Sequence, residues 1–570
     1  MIRTMKKPAL QKKLLFVIFF LFLIPLSSFA DSLGEERTFF LDSSFDAEGR
    51  DNLLAVLERE NEHLYFYIDS EWWRDLSAKE RSEINSALDT LGDVFNSQIY
   101  PTLVGTFGSE WKPGIDGDNK ITVLLHPMRK GIKGYFRIAD EYFKFQVPRS
   151  NEREMVYLSS DYITDSRMKS YLAHEFQHLI TFNQKERKYG FSPQTWFQEV
   201  FSEYAPTLAG LNTPYEGSYL QERVELFLRN PSDSLTEWRG EASDYGVLSL
   251  FVHYLAEHYG IEVLVNTLSN SRDGITAFNE ALEKAGFDKD FGQVFNDWAV
   301  AVLANDCSLG PEFCYQDKNL SKIKIVPSLH LLPFVKFSNL QIEDSIKDWS
   351  VKWYRLIGGR GDLKLTFKGT KGINFSLAYL ACKVSGGCSL SQVPLTEEGE
   401  GIISLPHFDE DYTFLALILS SQERQSNFSN PESSHFFTIE VSVGRQELTV
   451  QKLLAEIEKL KAEIAKLQAV LNEILRKKVF SCQIEKDLYF GMKDSQVECL
   501  QEFLKSQGPE IYPEGLVTGY FGPLTRKAVI RFQEKYKDEI LSPWGLSKGT
   551  GFVGETTRAK INRILSSISS

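Results

Sequence analysis

The chain reads as a multidomain protein: an α+β domain, then a β-sandwich, a coiled-coil stalk and a small three-helix C-terminal domain. Three observations predict this. At 570 residues it is longer than one hydrophobic core usually serves. The apolar pattern changes period along the chain, from mostly helical to alternating, then to a strict heptad, then to short helices. The six cysteines fall into three close pairs, Cys307/Cys314, Cys382/Cys388 and Cys482/Cys499, which suits local staples in separate regions.

Residues 1–30 read as a signal peptide. Arg3, Lys6, Lys7, Lys12 and Lys13 form a basic start, residues 14–24 are an unbroken apolar run, and Ser28-Phe29-Ala30 supplies small residues for cleavage before Asp31. The run is short for a membrane span, and no cysteine near Ala30 offers a lipid anchor. No later stretch is apolar enough to cross a bilayer. The chain is therefore expected to be secreted, with no membrane association after cleavage and with its cysteine pairs oxidised. Losing the leader's basic residues moves the net charge from −13 to −18, which argues against nucleic acid as a partner.

The first domain is assigned to 31–305. Aromatic or β-branched runs at 62–69, 120–125 and 155–158 predict strands. Helical periodicity then covers about 165–186, 194–209, 217–229, 243–259, 274–284 and 288–304. Nothing in 31–61 separates a short propeptide from the start of the domain.

Short alternating runs with turn signals between them make 320–444 a β-sandwich. Its Trp349, Trp353 and Tyr354 could line a sugar- or peptide-binding surface, although aromatic core strands are the commoner arrangement. In 446–478 the residues Val450, Leu453, Ile457, Leu460, Ile464, Leu467, Leu471 and Ile474 keep a strict 3-4 spacing. Mostly β-branched a positions with mostly leucine d positions favour a parallel two-stranded coiled coil, hence a homodimer. The plainer reading is a single spacer helix. Residues 480–570 hold three helical segments near 493–506, 523–537 and 554–566.

The chemistry concentrates at His174-Glu175-Phe176-Gln177-His178, within a helical stretch free of Pro and Gly. On a helix, residues at i and i+4 share a face with Cβ atoms about 5–6 Å apart. Both imidazoles can then reach one Zn²⁺ at about 2.0–2.1 Å, with Glu175 beside the metal as a base for water. A catalytic zinc takes a third protein ligand. The candidates are Glu199 and Glu203, again at i and i+4, in the next helix. One could bind the metal while the other accepts the Nδ1–H of a ligand histidine. Tyr245 and His253 are candidates to steady a developing oxyanion, though both are also ordinary helix residues. Asp116 and Asp118 are candidates for Ca²⁺. Their loop lacks EF-hand spacing, and a plain turn before a strand is the commoner reading.

These residues resemble the gluzincin metallopeptidases of the thermolysin-like superfamily, which implies a zincin-like fold. Q-E-V-F-S-E at 198–203 is similar to that group's N-E-x-x-S-D, which implies Glu199 as third zinc ligand and Glu203 as its supporting carboxylate. A closer resemblance is to bacterial neutral metallopeptidases of the hyicolysin type. It rests on I-D-G-D-N-K-I-T-V-L-L at 115–125, G-Y-F at 134–136, S-N-E-R-E-M-V-Y at 150–157 and W-F-Q-E-V-F-S-E-Y at 196–204. At the C-terminus, L-Q-E-F-L at 500–504, V-T-G-Y-F-G-P-L-T-R-K-A-V-I-R-F-Q at 517–533 and V-G-E-T-T at 553–557 resemble the peptidoglycan-binding domain of bacterial wall enzymes.

The expectation is a secreted endopeptidase with one zinc per chain, cutting proteins or peptides and docked on peptidoglycan at a bacterial wall. Two other readings stand beside it: a hydrolase of peptidoglycan stem peptides, and a non-catalytic wall-anchored adhesion or scaffold protein.

Overall fold

The computed structural model describes residues 31–426, 428, 431–444, 450–477 and 482–569. The expected signal peptide and the outer ends of the expected stalk lie outside the described residues. The chain divides into two compact units, one up to Gln446 and one from Glu447 onward.

The first unit starts with a six-stranded sheet. Its strands are β1 (Glu36–Phe40), β2 (Asn52–Glu60), β3 (Leu64–Asp69), β4 (Ile121–His126), β5 (Gly134–Phe136) and β6 (Met155–Ser159), in the order β1-β2-β3-β4-β6-β5. Strands β3, β4 and β6 run parallel, and β5 closes one edge antiparallel to β6. Strand alternation divides the side chains. Leu64, Phe66 and Ile68 enter the core shared with the helices, while Tyr65 and Tyr67 pack on the opposite face. Residues 31–61, undecided from the sequence, supply two of these strands. Asp31 is buried, accepts a 2.8 Å bond from Tyr67 and pairs with Arg153 at 2.5 Å. Removing this segment would strip the sheet, so it belongs to the domain.

Helices α1 (Ser70–Asp75), α2 (Ala78–Val94) and α3 (Tyr100–Phe107) lie between β3 and β4. A capping box starts α2: Ser77 Oγ accepts from the Glu80 amide at 3.2 Å and Glu80 returns a 2.8 Å bond. After β6 the chain is helical, with α4 (Met168–Thr181), α5 (Thr195–Leu208), α6 (Tyr219–Arg229), α7 (Ala242–Tyr259), α8 (Ile261–Ser269), α9 (Gly274–Lys284) and α10 (Phe291–Ala304). The expected sandwich follows as two facing sheets of four and five strands, with Leu365, Phe367, Leu377 and Leu417 between them.

Sandwich and helices share one core. Trp349 packs on Phe291 and Phe295 at ring separations of 5.2 and 5.5 Å, and Trp353 donates from Nε1 to the Ala299 carbonyl at 2.9 Å. Tyr354 is buried inside the sandwich. All three aromatics are core residues, and none forms a binding surface.

All three cysteine pairs are disulfides, Cys307–Cys314, Cys382–Cys388 and Cys482–Cys499. In the second unit a 28-residue helix, Val450–Lys477, precedes three helices, Ser495–Ser506, Pro523–Lys535 and Glu555–Ser569. These helices carry a repeat that the helical pattern alone does not reveal. The buried Gln501 accepts from the amides of Thr518 and Gly519 and donates to the Tyr520 carbonyl and Thr525. Gln533 does the same to Thr550, Gly551, Phe552 and Thr557. Each glutamine thus holds the loop that leads into the following helix.

Candidate metal centre

Helix α4 lies against the sheet edge and packs along α5. Its motif face turns inward, so His174, Glu175 and His178 are only 5–7% exposed. Glu199 on α5 meets both histidines. Its Oε2 stands 3.2 Å from His174 Nε2, and its Oε1 stands 3.7 Å from His178 Nε2. The three side chains place one ligand atom each within 4.8 Å of one another, the one such grouping among the described residues. Ligands about 2.0–2.1 Å from a tetrahedral zinc lie roughly 3.3 Å from each other, so the separations suit that ion. The chemistry agrees: two imidazoles and a carboxylate, with the buried Glu199 Oε2 receiving no hydrogen bond from the protein. The residues fit zinc.

Behind the histidines stands a buried network. Glu203, fully buried, forms a fork with Arg223, with Nε to Oε2 at 2.9 Å and Nη2 to Oε1 at 3.0 Å. Tyr219 donates to Glu203 Oε1 at 2.6 Å and accepts from Arg223 at 2.6 Å. Its oxygen lies 3.0 Å from His174 Nδ1, while Glu203 Oε1 lies 3.5 Å from that nitrogen. With Tyr219 already donating to Glu203, the imidazole contributes Nδ1–H, which leaves Nε2 unprotonated on the ligand side.

The protein's own charges show what the cluster demands. Burial alone would lower the His174 pKa, but Glu199, Glu175 and Glu203 outweigh it and raise it to about 9. Burial lowers His178 to about 4. Glu199 is held below the ordinary carboxylate range, because the two histidines outweigh its burial. Burial raises Glu175 to about 8. The raised His174 and the lowered Glu199 both reflect buried charges of opposite sign held close together, and the three carboxylates around His174 favour a cation there.

Strand β5 runs directly over Glu175. A side chain at Gly134 would begin 3.1 Å from Glu175 Cγ and Oε1 and 2.9 Å from the Tyr157 carbonyl. Only glycine lets the edge strand lie this close to the carboxylate. Two residues on, the Phe136 ring stacks on His178 at 5.8 Å and 10°.

Of the sequence candidates, His174, Glu175, His178, Glu199 and Glu203 are brought together. Tyr245 lies beside the cluster, its ring 6.4 Å from His174 and 5.0 Å from the Arg223 guanidinium. His253 is corrected. Thr207 occupies its Nε2 at 2.6 Å and the Ser249 carbonyl its Nδ1 at 2.6 Å, so neither nitrogen is left for an oxyanion. The Asp116–Asp118 pair forms a turn. Asp116 accepts from the Asp118 amide at 2.9 Å, and Asp118 accepts from Lys120 N and Tyr65 Oη, each at 3.0 Å. With Asp118 so occupied, the two aspartates are not a calcium pair. Tyr219 and Arg223 were not anticipated; their only signal in the sequence is i,i+4 spacing on one helix.

Known proteins show two likenesses to this chain. A neutral metalloprotease of Staphylococcus hyicus, ShpI, is 25% identical over 240 residues, which are 37% of this chain and 52% of the relative. The chain thus spans about half the length of the curated relative it matches. A peptidoglycan binding domain family matches residues 493–537. Among solved structures, the pre-peptidase C-terminal domain of a Bacillus anthracis collagenase has 8% identity and a TM-score of 0.15, covering 20% of this chain and 94% of its own. An Aeromonas hydrophila periplasmic lysozyme inhibitor has 15% identity and a TM-score of 0.15, covering 20% and 96%. Likenesses that weak say nothing about function. The chain is therefore similar to a bacterial neutral metalloprotease over part of its length and to a peptidoglycan binding domain at its C-terminus.

Proposed function

We propose that the chain is an exported zinc metalloendopeptidase held at a bacterial cell wall by its C-terminal unit. One observation carries this reading: His174, His178 and Glu199 converge in a buried cluster with Glu175 alongside. Zinc, when bound there, supplies Lewis acidity to water and to a scissile carbonyl. Glu175 accepts the proton of the attacking water and returns it to the departing amine nitrogen. Glu203, Tyr219 and Arg223 hold His174 in the ligand tautomer, and Tyr245 is the remaining candidate to donate to the oxyanion. The outer edge of β5 leaves backbone groups open beside Glu175, so an extended peptide adds there as a strand. That favours a polypeptide substrate.

The purified chain should hold one zinc and cleave casein, and Glu175→Gln should cut turnover by about 10³-fold while retaining the metal. Unchanged turnover in that variant would overturn the mechanism. Absence of both zinc and cleavage would leave the scaffold reading.

The peptidoglycan binding match favours a second reading, cleavage of stem peptides. Activity confined to sacculi would support it. Deleting 480–570 should abolish pelleting with sacculi and leave casein cleavage intact. The stalk helix exposes Ile457, Leu460, Ile464 and Leu467 by 44–65%. Pairing with a second copy would cover them, and sedimentation of the full chain as a dimer would support that assembly.

A further inference from the structure

A second group of charged side chains lies outside the zinc cluster and is not used by the mechanism. Glu110 and Asp116 come from the loop between α3 and β4, Glu141 ends a short turn after β5, and Glu154 precedes β6. Glu110, Glu141 and Glu154 are 1–3% exposed. Glu154 Oε1 accepts from the Ile115 amide at 2.8 Å, and Glu110 Oε1 from Tyr100 at 3.1 Å. The second oxygen of each is buried without a hydrogen bond, and so are both oxygens of Glu141.

The nearby bases do not balance these acids. Lys112 lies 3.4 Å from Glu110. Arg153 lies 3.3 Å from Asp116 but is closer to Asp31, at 2.5 Å. Asp140, also near, is paired with Arg137 at 2.6 Å. Burial, then the charges of Glu154, Asp140, Asp116 and Glu110, push Glu141 well above the ordinary carboxylate range. A buried ionised carboxylate without a partner is strongly destabilising, so this group calls for a cation or a proton.

Gly114 shapes the place where a cation fits. At φ +94°, a Cβ on this residue would lie 1.9 Å from Glu154 Oε2 and 3.1 Å from the Asp118 carbonyl oxygen. The glycine leaves a carboxylate and a carbonyl facing one small space. All available donors are oxygens, and the main-chain carbonyl among them suits a larger hard ion better than Mg²⁺, which retains its waters.

We propose that Glu110, Glu141 and Glu154, with the Asp118 carbonyl, form a second metal site for a hard divalent cation of the calcium class. Unlike the histidine cluster, these carboxylates do not already lie at mutual ligand distance. The ion draws them together against their repulsion. It ties the loop before β4 to the segments flanking β5 and β6, and so fixes the edge strand that lies over Glu175.

The test uses the full zinc-loaded chain carrying Glu175→Gln to suppress self-cleavage, in zinc-buffered solution. Calorimetric titration with Ca²⁺ should show one site. Ca²⁺ at 100-fold over its Kd should raise the unfolding midpoint by about 5 °C relative to EGTA. Adding Glu141→Gln should remove that rise, yet without Ca²⁺ unfold no earlier than its parent, since it replaces a buried carboxyl that no protein group partners. Should that variant fail to fold, Tb³⁺ luminescence of the parent chain, sensitised by Tyr100 and quenched by excess Ca²⁺, reads the same site. Equal midpoints in Ca²⁺ and EGTA with no Tb³⁺ signal would overturn the site. So would a calcium-dependent rise that survives Glu141→Gln. Equal binding of Mg²⁺ would overturn the calcium class.

Discussion

Glu203 and Glu141 are both buried glutamates in the same unit, and their surroundings are opposite. Glu203 receives the Arg223 fork and the Tyr219 hydroxyl. Glu141 receives no hydrogen bond and faces other carboxylates. The first is internally neutralised, so its charge can orient His174 whether or not a ligand is present. The second is unbalanced, and an unbalanced buried charge marks a place where the protein relies on something it does not encode. Burial alone distinguishes neither; the inventory of partners does.

The sharpest way to break the contrast is to make Glu203 resemble Glu141. Arg223→Met leaves Glu203 buried and unpaired, and should destabilise the unit by about 3–5 kcal/mol in urea unfolding. Adding Glu203→Gln should recover most of that loss if charge imbalance is its cause. Tyr219→Phe is milder. It keeps the ion pair but removes the hydroxyl between Glu203 and His174, and should weaken zinc binding by about 10–100-fold in chelator competition.

Glu432 makes the smallest and finest test, because its neutralisation is incomplete. It accepts from Thr236 at 2.8 Å and pairs with Arg424 at 3.2 Å. Burial, helped by Asp348 and Glu237, nonetheless raises it to about 7. The folded chain therefore keeps a proton that the unfolded chain releases near pH 4.5. The stability tied to that proton is fully present below about pH 4.5 and is lost as pH rises through about 7. The expected decline is on the order of 1 kcal/mol, and Glu432→Gln should flatten the stability profile across that window.

Legibility followed sequence distance. His174, Glu175 and His178 form a pattern because one helix face holds them, and Glu199 and Glu203 repeat that spacing one helix later. Strands β3, β4 and β6 were visible as dense apolar runs. Strand β1 was not, since its first three residues are exposed and patterning needs a buried face. Tyr219 and Arg223 take their meaning from what they touch, and the acidic group gathers residues from 110 to 154 that no local rule connects. The Gln501 and Gln533 repeat was available in principle, from Thr518-Gly519 and Thr550-Gly551 at matching offsets. Helical periodicity passes over it because the matched features sit in loops. His253 failed for the converse reason: residue type suggested chemistry, while its neighbours had already engaged it.

The aromatic contact between the sandwich and the helices also has a bearing on timing. Phe428 packs edge-on against Trp196 at 5.7 Å, on the helix that presents Glu199. It comes from the connection between the last two strands of the sandwich, more than two hundred residues later in synthesis. A chain emerging N-terminus first displays the histidine helix long before this buttress exists. The packing around Trp196 is thus completed only near the end of the unit, after His174, His178 and Glu199 have all been made, so a chain cut short before Phe428 would carry the third ligand on a helix that lacks this buttress.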